Sequence, residues 1–278
     1  QASPATSPLS RAESFERIAE GGGGRKSDFY RLKPIELAGT DLTKRIPLGP
    51  EGIIKHGVLS NGLTYYVRPN KKPLQRAAMA LVVKVGSVAE TEEERGVAHI
   101  CEHLAFNGTE KYSNHDLVKF LESIGAEFGA CQNAYTSADE TVYELLVPID
   151  KPGLLEQACG IFAEFATRVA IKDEDVERER GAVLEEWRQG RDARGRAAEA
   201  HWKLMMEGSQ YANRLPIGLE SVIRTAPASV IRGFYNKWYR PENMAVVLVG
   251  DFADPQEVVK ILERTLSECH PRADAPKV

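Results

Sequence analysis

The chain has 278 residues, a formal net charge of −4, and 27% charged against 42% hydrophobic residues. That length can bury a large core in one domain or divide into two. The charges are scattered and leave no basic footprint for nucleic acid, and no apolar run approaches the roughly 18 residues of a membrane span, so a soluble chain with no nucleic-acid and no membrane partner is expected.

The first 26 residues are rich in Ala, Ser, Pro and Arg and run into Gly21-Gly22-Gly23-Gly24. Residues 1–50 are therefore expected to be a flexible extension or a processing remnant. Glu13, Glu16 and Glu20 argue against a transit peptide, which is poor in acids. From Ile53 the pattern becomes globular. Two short strands, 57–59 and 63–67, flank an Asn61-Gly62 turn, and a third is predicted over 77–85. Helices are predicted over 96–106, 114–124, 152–168 and 173–189, and strands near 128–133 and 141–147. Further on come helices at 193–206 and 227–238, a buried strand at 244–249 and a final helix at 255–266. No repeat or linker divides this stretch, so residues 51–278 are expected to form one domain. The four cysteines, Cys101, Cys131, Cys159 and Cys269, make no C-x-x-C pair. A reducing compartment, cytoplasm or an organelle stroma or matrix, is the default.

Within the 96–106 helix, His99-Ile100-Cys101-Glu102-His103 is an H-x-x-E-H run, the inverted zinc-peptidase pattern. Histidines four apart project from one helix face, and Glu102 sits beside them. That arrangement offers two neutral nitrogen ligands and an adjacent base. The plain alternative is a helix with two hydrogen-bonded histidines and a solvated glutamate. Cys101 falls about 200° from His99, away from the metal-facing side, and is read as a small buried hydrophobe.

A catalytic zinc takes a third protein ligand and leaves a position for water. The 173–189 helix carries candidates in Glu179, Glu185 and Glu186. Glu179 and Glu186 are seven apart and share a face, whereas Glu185 points roughly 100° from Glu186. Spacing alone does not choose among them, and a solvated face laced with Arg178, Arg180 and Arg188 would account for any one in isolation.

The two blocks, His99 to His103 and Glu179-Arg180-Gly181-Ala182-Val183-Leu184-Glu185-Glu186, resemble in order the pitrilysin/insulysin family of metallopeptidases. Asn133-Ala134-Tyr135-Thr136 resembles the family's active-site strand, which pairs with an extended substrate by strand addition. Asn61-Gly62-Leu63, Pro216-Ile217-Gly218, Phe234-Tyr235 through Tyr239, Asn243-Met244 and Val249-Gly250-Asp251 extend the likeness from about Gly57 to the C-terminus. The wording of Ala98 to Thr109 and of Thr136 to Tyr143 is closest to the PqqL-like subgroup. One departure is a gap between His103 and Glu186 a few residues longer than the family's usual one, assigned to the loop around residues 128–132.

The resemblance implies a zinc metalloendopeptidase with His99, His103 and Glu186 as Zn²⁺ ligands, Glu185 as the alternate, Glu102 as the base, and Glu179 orienting a ligand. Asn133, Ala134, Tyr135 and Thr136 would bind the peptide substrate. It also implies an α+β fold, a largely antiparallel sheet with helices packed on one face, and a second homologous half-domain, in the same gene or a partner chain, that closes over the site. The rival from another class is a non-catalytic interaction subunit of the same fold. A third reading is a binding module that captures extended peptides on its sheet edge and needs no metal.

Overall fold

The structure, a computed structural model, describes residues 53–113, 116–123 and 132–271. The expected extension over residues 1–50, and all but the last residue of the 128–132 loop, lie outside the described residues. Strands β1 (Lys55–Val58) and β2 (Thr64–Pro69) pair antiparallel through the Asn61-Gly62 turn. Gly62 supplies the required φ of +92° there. The Asn61 side-chain amide donates to the carbonyls of Leu266 and Cys269 at 2.7 and 2.8 Å, which pins the turn to the far end of the sequence.

Strands β3 (Arg76–Val83), β4 (Gln132–Thr136), β5 (Thr141–Pro148) and β6 (Met244–Gly250) complete a six-stranded sheet in the order β1-β2-β6-β3-β5-β4. Only the β2–β6 pair is parallel. The register aligns Val67, Leu248, Met79 and Leu145 in one buried row, and Val246, Leu81 and Tyr143 in the next. Arg76, Ala78 and Glu144, on the alternate positions, are exposed. Period-two alternation thus gives the sheet one covered and one open face, the expected largely antiparallel α+β plan.

The helices among the described residues are α1 (Val97–Asn107), α2 (Asp116–Ser123), α3 (Leu154–Thr167), α4 (Asp173–Gln189), α5 (Ala193–Met205), α6 (Glu220–Thr225), α7 (Ala228–Trp238) and α8 (Pro255–Leu266). Helices α3 and α8 pack together against the sheet, and α1 packs on α4, α7 and β4. Tyr143 sits between Phe106 and Phe165, with ring centroids 6.2 and 5.0 Å away, and its hydroxyl meets that of Tyr239 at 2.8 Å. These aromatics, of which Tyr143, Phe165 and Tyr239 are buried and Phe106 partly so, hold the helical layer to the sheet, each buried ring at about 1.5–3 kcal/mol of apolar burial. No helix among the described residues is long and apolar enough to cross a membrane. Cys101, Cys159 and Cys269 are buried free thiols, and Cys101 Sγ faces the Ile231 carbonyl as a core group.

Two elements differ from expectation. Of the strand predicted near 128–133, residues 128–131 lie outside the described residues; the described strand is Gln132–Thr136, extended beyond 133 because the turn at Ser137–Glu140 pairs Thr136 with Thr141 and Gln132 with Leu145. Helix α6 was not anticipated; six residues are too few to display a helical period.

Candidate metal centre

Helix α1 begins at Gly96, which has a φ of +108° and no side chain with which to cap. The exposed N–H groups are satisfied from outside the helix. Gly96 N–H and Ala98 N–H donate to the two carboxylate oxygens of Glu90, at 3.0 and 2.9 Å. Burial, resisted by these two hydrogen bonds, pushes the Glu90 carboxyl up to about 8. Gly218, at φ +74°, lies directly against Gly96: a Cβ there would stand 2.3 Å from the Gly96 Cα. Leu219 N–H donates to Arg95 O at 3.1 Å, so this close approach fixes the Pro216-Ile217 segment beside the helix.

His99 and His103 lie one turn apart, their rings 4.6 Å apart and nearly perpendicular at 88°. Their Nε2 atoms are 3.2 Å apart, and Glu186 Oε2 from α4 is 3.5 and 3.4 Å from them. Tetrahedral ligands bound about 2.0–2.1 Å from a zinc ion would be separated by about 3.3 Å. The three donor atoms therefore bracket a position that matches a zinc ion in size and in chemistry, two neutral nitrogens and a carboxylate oxygen. Glu185 is not brought in; its half-exposed carboxylate faces Arg188 at 3.4 Å. Among the described residues this is the one group of three His, Cys, Asp or Glu side chains with ligand atoms so convergent.

Glu179, two turns before Glu186 on α4, holds His103. His103 Nδ1–H donates to its Oε1 at 2.8 Å, which leaves the Nε2 lone pair facing the other ligands, and the Asn107 amide donates to its Oε2 at 2.6 Å. Burial disfavours a charged His103, but the hydrogen bonds to Glu179 and Glu186 outweigh it and hold the imidazole up at about 9. His99 goes the other way: burial, then the charge of His103, lowers it to about 4, so it presents a neutral ring. Its buried Nδ1 has no hydrogen-bond partner among the described residues. The hydrogen bond to His103 keeps the carboxyls of Glu179 and Glu186 low.

Glu102 is 8% exposed, and burial raises its carboxyl against the hydrogen bond that Thr136 Oγ1–H donates to Oε2 at 2.6 Å. Thr136 lies on the covered face of edge strand β4, with Ala134 on that face and Asn133 and Tyr135 on the other. Tyr135 is 43% exposed, its hydroxyl 3.2 Å from Glu140 Oε1. His99, Glu102, His103, Glu179, Glu186 and Asn133 to Thr136 all line one cleft of about 560 Å³, as do Pro216 and Ile217. Sequence reasoning missed three contributors. Asn107 was taken only as a helix stop, although it lies eight residues after His99 and so near the same face. Glu90 and the link from Thr136 to Glu102 left no local signal, since each reaches outside its own element.

The model of the insulinase family, peptidase family M16, matches residues 65–214, and that of the M16 inactive domain matches residues 226–278. The two matches meet inside one sheet, because β6, from the second, lies between β2 and β3. A zinc protease PQQL-like protein of Arabidopsis thaliana is 56% identical over 256 residues, covering 91% of this chain and 26% of that protein. The chloroplastic stromal processing peptidase of Oryza sativa is 31% identical over 82% of this chain and 18% of its own length. The crystal structure of the first half of the periplasmic protease PqqL from Escherichia coli superposes with a TM-score of 0.77 at 34% identity, covering 82% of this chain and 48% of that one. The chain thus spans about a quarter or less of the length of these curated relatives.

Proposed function

The chain belongs to the insulinase family of peptidases, M16, and on that premise we propose that it is the zinc-bearing part of a metalloendopeptidase that hydrolyses extended peptides or unfolded segments. The observation that carries this reading is the convergence of His99, His103 and Glu186 at zinc-ligand spacing, with Glu102 in the same cleft. Those three residues would hold the ion. Zinc, when bound, polarises a scissile carbonyl and lowers the pKa of a water towards about 7. Glu102 takes up the proton lost by the attacking water and delivers it to the leaving amine. Glu179 keeps His103 in the tautomer that offers Nε2.

Among the described residues strand β4 pairs with β5 alone and lies at the sheet edge, so the backbone along Asn133, Ala134, Tyr135 and Thr136 can take an extended peptide as an added strand. Residues 51–278 form the metal-bearing domain, and a second homologous half-domain, on the same gene product or a partner chain, closes over the cleft. The relatives' roughly fourfold greater length supports that partner. The buried, unpaired thiols suit a reducing compartment.

The test is turnover of a quenched fluorogenic peptide of about twenty residues by the zinc-loaded chain, with and without a chelator, beside the Glu102→Gln variant. Chelator-sensitive cleavage is expected, with zinc retained and turnover lost in the variant. Unchanged turnover in Glu102→Gln would refute its assignment as the base, and a chain that takes up no zinc would refute the metal site.

A further inference from the structure

We infer that Thr136 is a positioning residue for Glu102: its hydroxyl holds one carboxylate oxygen so that the other faces the attacking water, and it ties the proton acceptor to the strand on which a substrate would lie. This rests on the reading of Glu102 as the base. The Thr136 hydroxyl donates to Glu102 Oε2 at 2.6 Å, within the short range of charge-assisted O–H···O⁻ bonds. Glu102 is 92% buried by area, in an environment where a carboxylate needs a fixed donor, and among the described residues the Thr136 hydroxyl is the side-chain donor that reaches it. With Oε2 occupied, Oε1 is left as the proton acceptor.

The strand geometry makes this contact deliberate. Side chains alternate along β4, so Ala134 and Thr136 turn toward α1 while Asn133 and Tyr135 turn away. Thr136 also pairs with Thr141 as the last residue before the Ser137–Glu140 turn, where Ser137 N–H donates to Glu140 O at 2.8 Å. Both rotation of the strand and slippage along it are thereby restrained. This hydroxyl is thus a polar link between the peptide-binding edge and the base. A peptide added to β4 would stiffen the strand that holds Glu102. Binding energy from residues away from the scissile bond would in that way reach the reacting centre as better alignment, seen in kcat more than in KM.

The experiment compares Thr136→Val, which keeps the shape and loses the hydroxyl, with Thr136→Ser, which keeps the hydroxyl and loses a methyl, alongside Glu102→Gln. Two readouts are taken on the zinc-loaded chain: kcat and KM on the fluorogenic peptide, and the calorimetric affinity for acetohydroxamic acid, which sheds a proton to a neighbouring base as it binds a metal. The second needs no turnover. Thr136→Val is expected to lose about ten- to a hundredfold in kcat with KM within about twofold, and about tenfold in acetohydroxamate affinity, at unchanged zinc affinity. Thr136→Ser should recover most of both. If Glu102→Gln is impaired while Thr136→Val matches the parent, or if Thr136→Ser is no better than Thr136→Val, the role of Thr136 falls and the base stands. If Glu102→Gln itself matches the parent in both readouts, the reading of Glu102 as the base falls, and the role of Thr136 with it.

Discussion

Removal of the Glu179 carboxylate separates two opposing effects on zinc binding, and their magnitudes decide what is seen at each pH. Glu179 receives His103 Nδ1–H at 2.8 Å and the Asn107 amide at 2.6 Å, with only 17% of its side chain exposed. Loss of such a ligand-orienting partner costs about 10–100-fold in metal affinity, or about 1.4–2.7 kcal/mol. The same carboxylate, however, helps hold the metal-free His103 at about 9, so at pH 7 zinc must displace a proton, which weakens its apparent affinity. In Glu179→Ala the imidazole gives up its proton more easily, which offsets the lost orientation at pH 7. Zinc affinity of the parent should therefore climb about tenfold per pH unit from 7 to 9, while that of the variant climbs less. The deficit of the variant should reach its full tenfold or more only near pH 9. Glu179→Gln, which keeps an acceptor for His103 but sets an amide against the Asn107 amide, should fall at the smaller end. Competition titrations against a chromophoric chelator at pH 7, 8 and 9 measure this. A Glu179→Ala variant within about threefold of the parent at pH 9 would refute the orienting role.

Glu186→Ala should abolish tight zinc binding, whereas Glu185→Ala, which removes only a half-exposed ion pair to Arg188, should leave it within about twofold; the same titrations decide. Gly218→Ala places a Cβ within 2.3–2.6 Å of backbone atoms of Arg95 and Gly96, at a φ of +74°, and should cost about 2–4 kcal/mol in urea melts; an unchanged midpoint would contradict the close packing of these segments. Glu90, held at about 8 by burial, keeps its proton more tightly in the folded chain than in the unfolded one. Its contribution to stability is full below about 4.5 and is lost as the pH rises through about 8. Glu90→Gln should accordingly show a shallower fall of stability over that window in metal-free urea melts, and a parallel curve would refute the assignment. In a Cys131→Ser background, Cys101, Cys159 and Cys269 should resist thiol reagents until the chain unfolds. Burial removes access and drives the thiols up, Cys159 to about 12 and Cys269 to about 11, so rapid native labelling would be the contrary result.

The helix carrying His99, Glu102 and His103 was legible because a helical period acts within five residues, and Gly96 and Asn107-Gly108 mark its ends. The common face of Glu179 and Glu186 was legible for the same reason, and so was the alternation that makes Arg76–Val83 a half-buried strand. In each case the chain's own geometry sets which side chains share a side. What a side meets is set by packing alone. Glu186 rather than Glu185 reaches the histidines because of how α4 lies against α1; about 100° of helix rotation separates the two residues, and only the helix contact fixes that angle. The 244–249 segment was recognisable as a strand, but its place between β2 and β3, parallel to one and antiparallel to the other, comes from pairing with residues more than 150 positions earlier. Glu90 on the start of α1, Asn107 on Glu179 and Thr136 on Glu102 are likewise contacts between elements. Sequence periodicity thus set which helix faces carry His99, Glu102, His103, Glu179 and Glu186, while the tertiary structure decided which carboxylate meets the histidines, what holds Glu102 and which segments line the cleft, because side chains far apart in sequence interact only once the elements that carry them are packed.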